Sequence, residues 1–232
     1  MAIRVFETDP DAKPKERVSY GDQIGTFAAG KKDAKGNPVA LPTWRILTGS
    51  QNVADSVAQL FGGAPFDTES ENDHHIAVDT EAETVLIVVD KPSDLRADMK
   101  LWNRNVLQHH CDGIEFLSPD DQRGEPCGCP ETMEERKAKA KKFLGPSPSI
   151  ELVFRLADDY DLGEFRFKTG SWTLVDILHK VENALDAVDG PALCELTLEL
   201  VEYTTSKGRD VSYRKPVIKV LKSYNDAIAD PR

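Results

Sequence analysis

Ile150-Glu-Leu-Val-Phe-Arg-Leu156 alternates apolar and polar side chains, the pattern of a β-strand with one buried face. Phe165 and Phe167 repeat the alternation in a second strand. Ser171 then caps a helix with one apolar stripe, formed by Leu174, Leu178, Val181 and Leu185. Two further strands follow, one carrying the apolar face of Cys194, Leu196, Leu198 and Leu200, and one from Val211 to Leu221 with Pro216. The order β-β-α-β-β predicts an antiparallel sheet, in which Pro216 indicates an edge strand or a bulge.

Shorter elements are predicted upstream of this segment. Ile24–Ala28 and Val39–Leu47 read as strands, and Gln51 to about Phe61 reads as a helix with Ser50 as N-cap. A strand around Ile76–Val78 and the buried strand Thr84–Val89 are predicted to form a hairpin. We therefore expect an α+β fold with antiparallel sheets, few helices and a small zinc-binding insertion.

The predicted chain has three parts. Residues 1–108 are an N-terminal α+β region with an extended arm, residues 109–145 are a Cys/His segment followed by a charged helix, and residues 146–232 are the β-β-α-β-β region. The boundary is placed at the stiff, turn-rich segment Gly145-Pro-Ser-Pro-Ser149.

The cysteines indicate a metal site in the middle part. Three of the four lie close together in the chain, as Cys111 and as Cys127-Gly-Cys129, and His109-His110 precede them. Thiolates and imidazoles are the usual zinc ligands, and clustered cysteines in a reducing compartment are typical of metal binding. The fourth ligand is predicted to be His109, with His110 and Cys194 as alternatives. Free thiols in a surface loop are the competing interpretation, and Cys194 also fits a buried apolar position.

The N-terminal arm and the charged helix are the predicted contact surfaces for a partner. Thr132 and Glu135 form a capping box, and the helix is expected to run to about Phe143 with almost no apolar stripe. Its basic residues are the predicted partner-binding residues: Arg136, Lys137, Lys139 and Lys141. The alternative is that this helix and the N-terminal arm are merely solvated.

Composition excludes several classes of function. The 232 residues carry a formal net charge of −11, which disfavours non-specific binding to duplex DNA. No apolar run approaches the roughly 18–20 residues that cross a bilayer, and the start has no signal-peptide pattern, so a cytoplasmic location is expected. No Ser-His-Asp arrangement or phosphate loop can be assigned from the sequence. Trp44-Arg45 and Trp102-Asn-Arg104 are the only candidate stacking pairs for single-stranded nucleic acid.

Several segments together resemble a known family: Val5–Pro14, Pro42–Thr48, Cys111–Gly113, Gly124–Pro130, and Leu162–Phe167 with Ser171-Trp172. They are similar to the recombination directionality factors that partner large serine integrases in temperate actinobacterial phages, and the resemblance spans most of the chain. It implies a non-catalytic accessory protein that binds the integrase on att-site DNA, with little DNA binding of its own, and redirects it from integration (attP × attB) to excision (attL × attR). Some relatives are expected to carry a further cysteine after the charged helix, where this chain has Gly145–Ser149.

Two other functions stay open at this point. A zinc-containing single-stranded nucleic-acid-binding protein of phage replication would bind DNA alone in a salt-dependent way. A metal-dependent hydrolase would need an open coordination position and a nearby acid or base, for which Glu115 and Asp112 are candidates only in principle.

Overall fold

The computed structural model describes residues 23–33, 35–68, 73–206 and 208–229. The predicted N-terminal arm lies outside these residues. The first half of the described chain contains β1 (Gly25–Lys32), β2 (Pro38–Thr48), α1 (Gln51–Phe61), β3 (Pro65–Asp67), β4 (Ile76–Asp79), β5 (Thr84–Val89), β6 (Leu95–Asn103), β7 (Val106–Cys111) and β8 (Phe116–Ser118). The second half contains α2 (Met133–Lys141), β9 (Ser147–Leu156), β10 (Glu164–Thr169), α3 (Trp172–Asp186), β11 (Ala192–Thr204), β12 (Asp210–Ser223) and α4 (Tyr224–Ala229).

These strands form one mostly antiparallel sheet. Its main path runs in the order β12-β11-β5-β9-β10-β1-β2-β4-β3, and the pairing of β1 with β10 is parallel. β9 is the branch point, because one of its edges pairs with β5 near Leu156 and with β6 from Ser147 to Leu152. β7 and β8 continue outward from β6. The predicted α+β class with antiparallel pairing is confirmed.

The apolar core explains this arrangement. Helix α1 contributes Val53, Ala54 and Val57, and α3 contributes the predicted stripe of Leu174, Leu178, Val181 and Leu185. Both helices pack into the same buried cluster as the inward faces of the strands. Trp44 is fully buried, with its ring edge-on to Phe27 and Phe167. Burial of these faces is the main favourable contribution to folding.

The hairpin prediction for β4 and β5 is wrong. β4 pairs with β2 and β3, whereas β5 lies between β11 and β9. The linking residues follow β2 instead of turning back: Thr80 N donates to Trp44 O, Trp44 N donates to Ala82 O, and Trp44 Nε1 donates to Glu83 O. These bonds hold the linker along β2, so β5 enters a different part of the sheet.

Strands from the first and third predicted parts are interleaved in one sheet. β1 lies between β10 and β2, and β5 lies between β11 and β9. The proposed boundary residues lie at the start of β9. The three-part division stays a prediction about the order of segments along the chain. Among the described strands β12 pairs only with β11, which agrees with an edge strand containing Pro216. None of the helices in the described ranges is long and apolar enough to cross a membrane.

Candidate metal centre

The Cys/His module, residues 95–144, extends from the edge of β9. Its first two strands are paired antiparallel, with Met99 opposite Cys111 and Leu101 opposite His109. Side chains two residues apart in a strand point to the same face. His109 and Cys111 therefore project together from β7, and the intervening His110 projects to the other face.

The loop after β7 brings the other two cysteines to this face. Asp112 Oδ1 accepts hydrogen bonds from Ile114 N and Glu115 N, both at 2.8 Å, which tightens the first turn. Cys127 N donates to Ile114 O at 2.8 Å and joins the far end of the loop to that turn. Gly128 has a φ of 68° between the two cysteines, a conformation that glycine adopts at little cost.

The result is a cluster of His109, Cys111, Cys127 and Cys129. Their potential ligand atoms all lie within 4.8 Å of one another. Cys111 Sγ is 3.7 Å from Cys129 Sγ, which in turn is 3.6 Å from His109 Nε2. Cys111 and Cys127 are buried, and the other two are partly buried. The cluster could hold a metal ion.

A small apolar shell surrounds the cluster. Met99 is buried with Cys111 and Cys127, and Phe116 and Trp172 pack against them. The ring centroids of His109 and Phe116 are 4.7 Å apart, so the phenyl ring packs against the imidazole. Trp172 is the first residue of α3, so the cluster also contacts the main body of the protein.

Burial shapes the protonation of the ligands. It lowers the pKa of His109, with the neighbouring His110 adding to the effect, and so favours the neutral ring that coordinates metals. Burial also raises the pKa of the Cys111 and Cys129 thiols. Several thiolates in such a place are unfavourable without a cation, so metal binding must displace protons there.

The two alternative ligands lie elsewhere. His110 Nδ1 is 2.8 Å from Ser118 Oγ, and His110 Nε2 is 2.9 Å from Asp98 Oδ2. Both ring nitrogens therefore already have partners on the opposite face of β7. Cys194 is fully buried in the main core on β11, where burial raises the pKa of its thiol to about 12. Neither residue belongs to the cluster.

Sequence reasoning missed the hydrogen-bonded chain of Ser118, His110 and Asp98. Ser118 lies opposite His110 across β7 and β8, and Lys100, opposite His110 on β6, places its Nζ 2.8 Å from Asp98 Oδ2. These are cross-strand neighbours, so they become visible only once the register is known. We interpret these hydrogen bonds as holding β6, β7 and β8 together.

Arg136 has a role that its charge did not reveal. Its Nε donates to Pro130 O at 2.6 Å and its guanidinium donates to Gly113 O at 2.8 Å. One side chain thus joins the turn after Cys111 to the turn after Cys129. Lys137 points to α3, with Nζ 3.6 Å from Asp176 Oδ2 and 5.9 Å from the centre of the Trp172 ring.

The other predicted contact residues face solvent. Lys139 and Lys141 are exposed on α2, whose N-cap is Thr132 as predicted. Thr132 Oγ1 accepts a hydrogen bond from Glu135 N at 3.3 Å. The helix ends at Lys141. Contact of these basic residues with a partner stays a prediction.

The aromatic pairs proposed for stacking differ in exposure. Trp44 is buried, and its neighbour Arg45 pairs with Asp79. Trp102 is 54% exposed and lines a groove of about 340 Å³ together with Lys100 and Lys168. Both lysines are paired with carboxylates, of Asp98 and Glu151, which reduces the attraction of this groove for phosphate.

Comparison with known proteins places this site within a family. The family model Gp3-like, described as recombination directionality factor-like, matches residues 24–221. The match includes the whole Cys/His module and the sheet that carries it. No solved structure matches the chain.

Proposed function

We propose, because this chain belongs to the recombination directionality factor-like family, that it binds a large serine integrase and switches it from integration to excision. The observation that carries the proposal is the family match from residue 24 to residue 221. In this proposal the chain is not an enzyme. The integrase supplies the serine nucleophile, and the chain acts in the host cytoplasm by binding the integrase on att-site DNA.

The switch is a shift between two arrangements of the integrase. A ligand moves an equilibrium only by its differential affinity for the two states. Moving it from 1:99 to 99:1 requires about 10⁴-fold tighter binding to the favoured state, or about 5.5 kcal/mol. A net charge of −11 supports association with a basic, DNA-bound protein more than with DNA itself.

We further propose that the Cys/His module holds a structural zinc ion. In a tetrahedral site with Zn–S bonds of about 2.3 Å and Zn–N bonds of about 2.0–2.1 Å, two sulfurs are about 3.8 Å apart and a sulfur and a nitrogen about 3.6 Å. Two of the six separations, Cys111 Sγ to Cys129 Sγ at 3.7 Å and Cys129 Sγ to His109 Nε2 at 3.6 Å, match these values, and all six are within 4.8 Å. With His109, Cys111, Cys127 and Cys129 as ligands the site is closed, and the metal fixes the loop instead of activating a substrate.

The test is recombination with purified integrase from the same genome. Each of the attP × attB and attL × attR pairs is incubated with integrase, with and without equimolar or excess chain. We expect the chain to permit attL × attR recombination and to inhibit attP × attB. An integrase lacking its serine nucleophile should give no product with the chain, and the chain alone should not shift att DNA at physiological salt. Unchanged direction with the cognate integrase would contradict the proposal.

A further inference from the structure

The end of α2 places an aromatic residue where glycine is usual. Phe143 has a φ of 56°, in the left-handed region. Its N–H donates to Ala140 O at 3.0 Å, and Leu144 N donates to Lys139 O at 3.0 Å. This pair of bonds is the Schellman motif, in which Phe143 occupies the position that normally carries glycine. A side chain in this conformation is disfavoured by contact of its Cβ with the backbone.

Packing does not compensate for this conformation. The Phe143 side chain is 84% exposed and that of Leu144 is 72% exposed. Among the described residues, Phe143 has no ring contact with another aromatic or cationic group. The residue after the Schellman position is often a hydrophobic one that packs back on its helix, whereas Leu144 leaves most of its side chain in solvent. Two adjacent apolar side chains are therefore displayed to solvent from a strained turn.

The charge around them is opposite to that of the chain. Lys139, Lys141 and Lys142 are exposed, and none has a carboxylate partner in the part of the chain that the structure describes. Lysines at a helix C-terminus suit the helix dipole and would not indicate a partner alone. Together with Phe143 and Leu144, they form an apolar knob with a cationic rim on a protein of net charge −11.

The position of this surface is fixed by contacts inside the protein. Arg136 bonds the start of α2 to both turns of the metal cluster, and Lys137 joins its middle to Trp172 and Asp176 of α3. A surface that is already ordered loses less entropy on binding. The structure thus presents the end of α2 in a defined orientation relative to the main sheet.

We propose that the α2 end, consisting of Lys139, Lys141, Lys142, Phe143 and Leu144, docks into an apolar pocket rimmed by carboxylates on the integrase. This inference rests on the function proposed above and names the chemistry of the contact. The lysines alone would also suit a phosphate backbone, but Phe143 and Leu144 gain most from an apolar protein pocket. The net charge of −11 still suits a partner that is basic overall, whereas local complementarity between the lysines and the carboxylates sets the register of this contact. Burial of the two apolar side chains supplies the affinity.

The experiment separates a docking role from a structural one. The full-length variants Phe143→Gly and Phe143→Asn remove the aromatic side chain and introduce residues that tolerate the left-handed conformation of the turn. We expect their dissociation constants for integrase bound to attL DNA to rise at least about tenfold, as for an aromatic anchor. Their melting temperatures should stay equal to the wild-type value or rise, since strain is relieved. The matched control is Ile228→Ala, which removes an apolar side chain that is 63% exposed on α4 and should leave affinity unchanged.

A second variant tests the rim. Lys139→Glu combined with Lys141→Glu should weaken integrase binding and reduce its dependence on salt. Wild-type-like affinity of both Phe143 variants, in a chain that still switches the integrase, would overturn the docking surface and leave the function standing. Failure of the wild-type chain to bind any integrase–att complex would contradict both the docking surface and the proposed function. The variants could also keep their integrase affinity but change the oligomeric state of the protein, or weaken its binding to DNA in the absence of integrase. Either result would assign the surface to a different partner.

Discussion

The main sheet and the Cys/His module are stabilised by different forces. The main core joins inward faces of nine strands with α1 and α3, and its aromatic centre includes Phe27, Trp44, Phe154, Phe165 and Phe167. The buried apolar cluster of the module contains, of the described residues, Met99, Cys111 and Cys127. A core that small cannot order a 50-residue region by apolar burial alone, so we expect the module to depend on directed hydrogen bonds and on the metal ion proposed for its Cys/His cluster.

The largest effect is expected from removing the metal, which should destabilise the Cys/His module and leave the main sheet intact. Cys127→Ser takes away one of four ligands, and structural zinc sites bind with about 10–16 kcal/mol in zinc-finger peptides. We expect purified variant to lose its equivalent of metal, and amide hydrogens of β7, β8 and the following loop to lose protection from exchange. Amides of β10 and β11 should stay protected, because the main core is unaltered.

Cys194→Ser is the matched control for that prediction. It places the same hydroxyl in the fully buried main core. We expect unchanged metal content and a lower melting temperature. The acceptor that Cys194 Sγ contacts, Ala192 O, is 3.7 Å away, which is too long for a good hydrogen bond from a hydroxyl. A poorly satisfied buried hydroxyl costs about 1–3 kcal/mol. Full metal content in Cys127→Ser would show that the cluster is not the binding site.

The second prediction uses the strand that joins the regions. Leu152 is fully buried on β9, opposite Phe167 of β10 and Leu95 of β6. Leu152→Ala should lower the free energy of unfolding by about 2–5 kcal/mol, measured by denaturant titration. Because both regions hydrogen-bond to β9, protection from exchange should fall in both. Val153→Ala, at a half-buried position of the same strand, should cost less; a loss confined to the module would contradict this account.

The main sheet and the module also differ in how much of their structure can be predicted from the sequence. The α3 stripe and the alternating strands β9 to β12 are local periodicities, so their order β-β-α-β-β was predictable. The bonds between Thr80 and Trp44 join residues 36 apart, and no local pattern excludes a hairpin there. Pairing order in the main sheet was therefore only partly accessible.

In the module, residue types were predictable and geometry was not. The spacing of Cys111, Cys127 and Cys129 indicated three ligands, but the choice between His109 and His110 required knowing that residues 106–111 form a strand. With that knowledge, alternation places His109 on the face of Cys111. The carbonyl partners of Arg136 are 6 and 23 residues away, so its sequence signal was charge alone.

Arg136→Lys is the third prediction and tests that clamp. Lysine keeps the charge but cannot reach both Pro130 O and Gly113 O with a planar fork. We expect local stability of the module to fall by about 1–3 kcal/mol and metal affinity to fall about tenfold, measured by chelator competition and hydrogen exchange. Lys141→Arg, a conservative exchange on an exposed side chain, should change neither. Equal effects of the two variants would show that Arg136 acts only through charge.

The smallest effect compares the two regions in acid. Asp79 lies opposite Arg45 across β4 and β2, with Arg45 Nη2 2.7 Å from Asp79 Oδ2, and the hydrogen bonds from Arg45 lower the pKa of the Asp79 carboxyl. A lowered pKa in the folded state stabilises the protein above the unfolded-state pKa of about 4, and this contribution is lost as pH falls through the folded-state value. The pair is partly exposed, so we expect it to contribute about 0.2–1 kcal/mol to the free energy of unfolding.

In the Cys/His module, protons compete with the metal for the Cys and His ligands. Acid should therefore release the metal at a higher pH than the one at which the main sheet is affected. The carboxyls of Glu83 and Asp112 also have lowered pKa values, so Asp79→Asn should reduce, and not abolish, the loss of unfolding free energy at low pH. If the variant releases its metal at the same pH as the wild type, the two regions respond to acid independently. A shift in that pH would show that they are coupled.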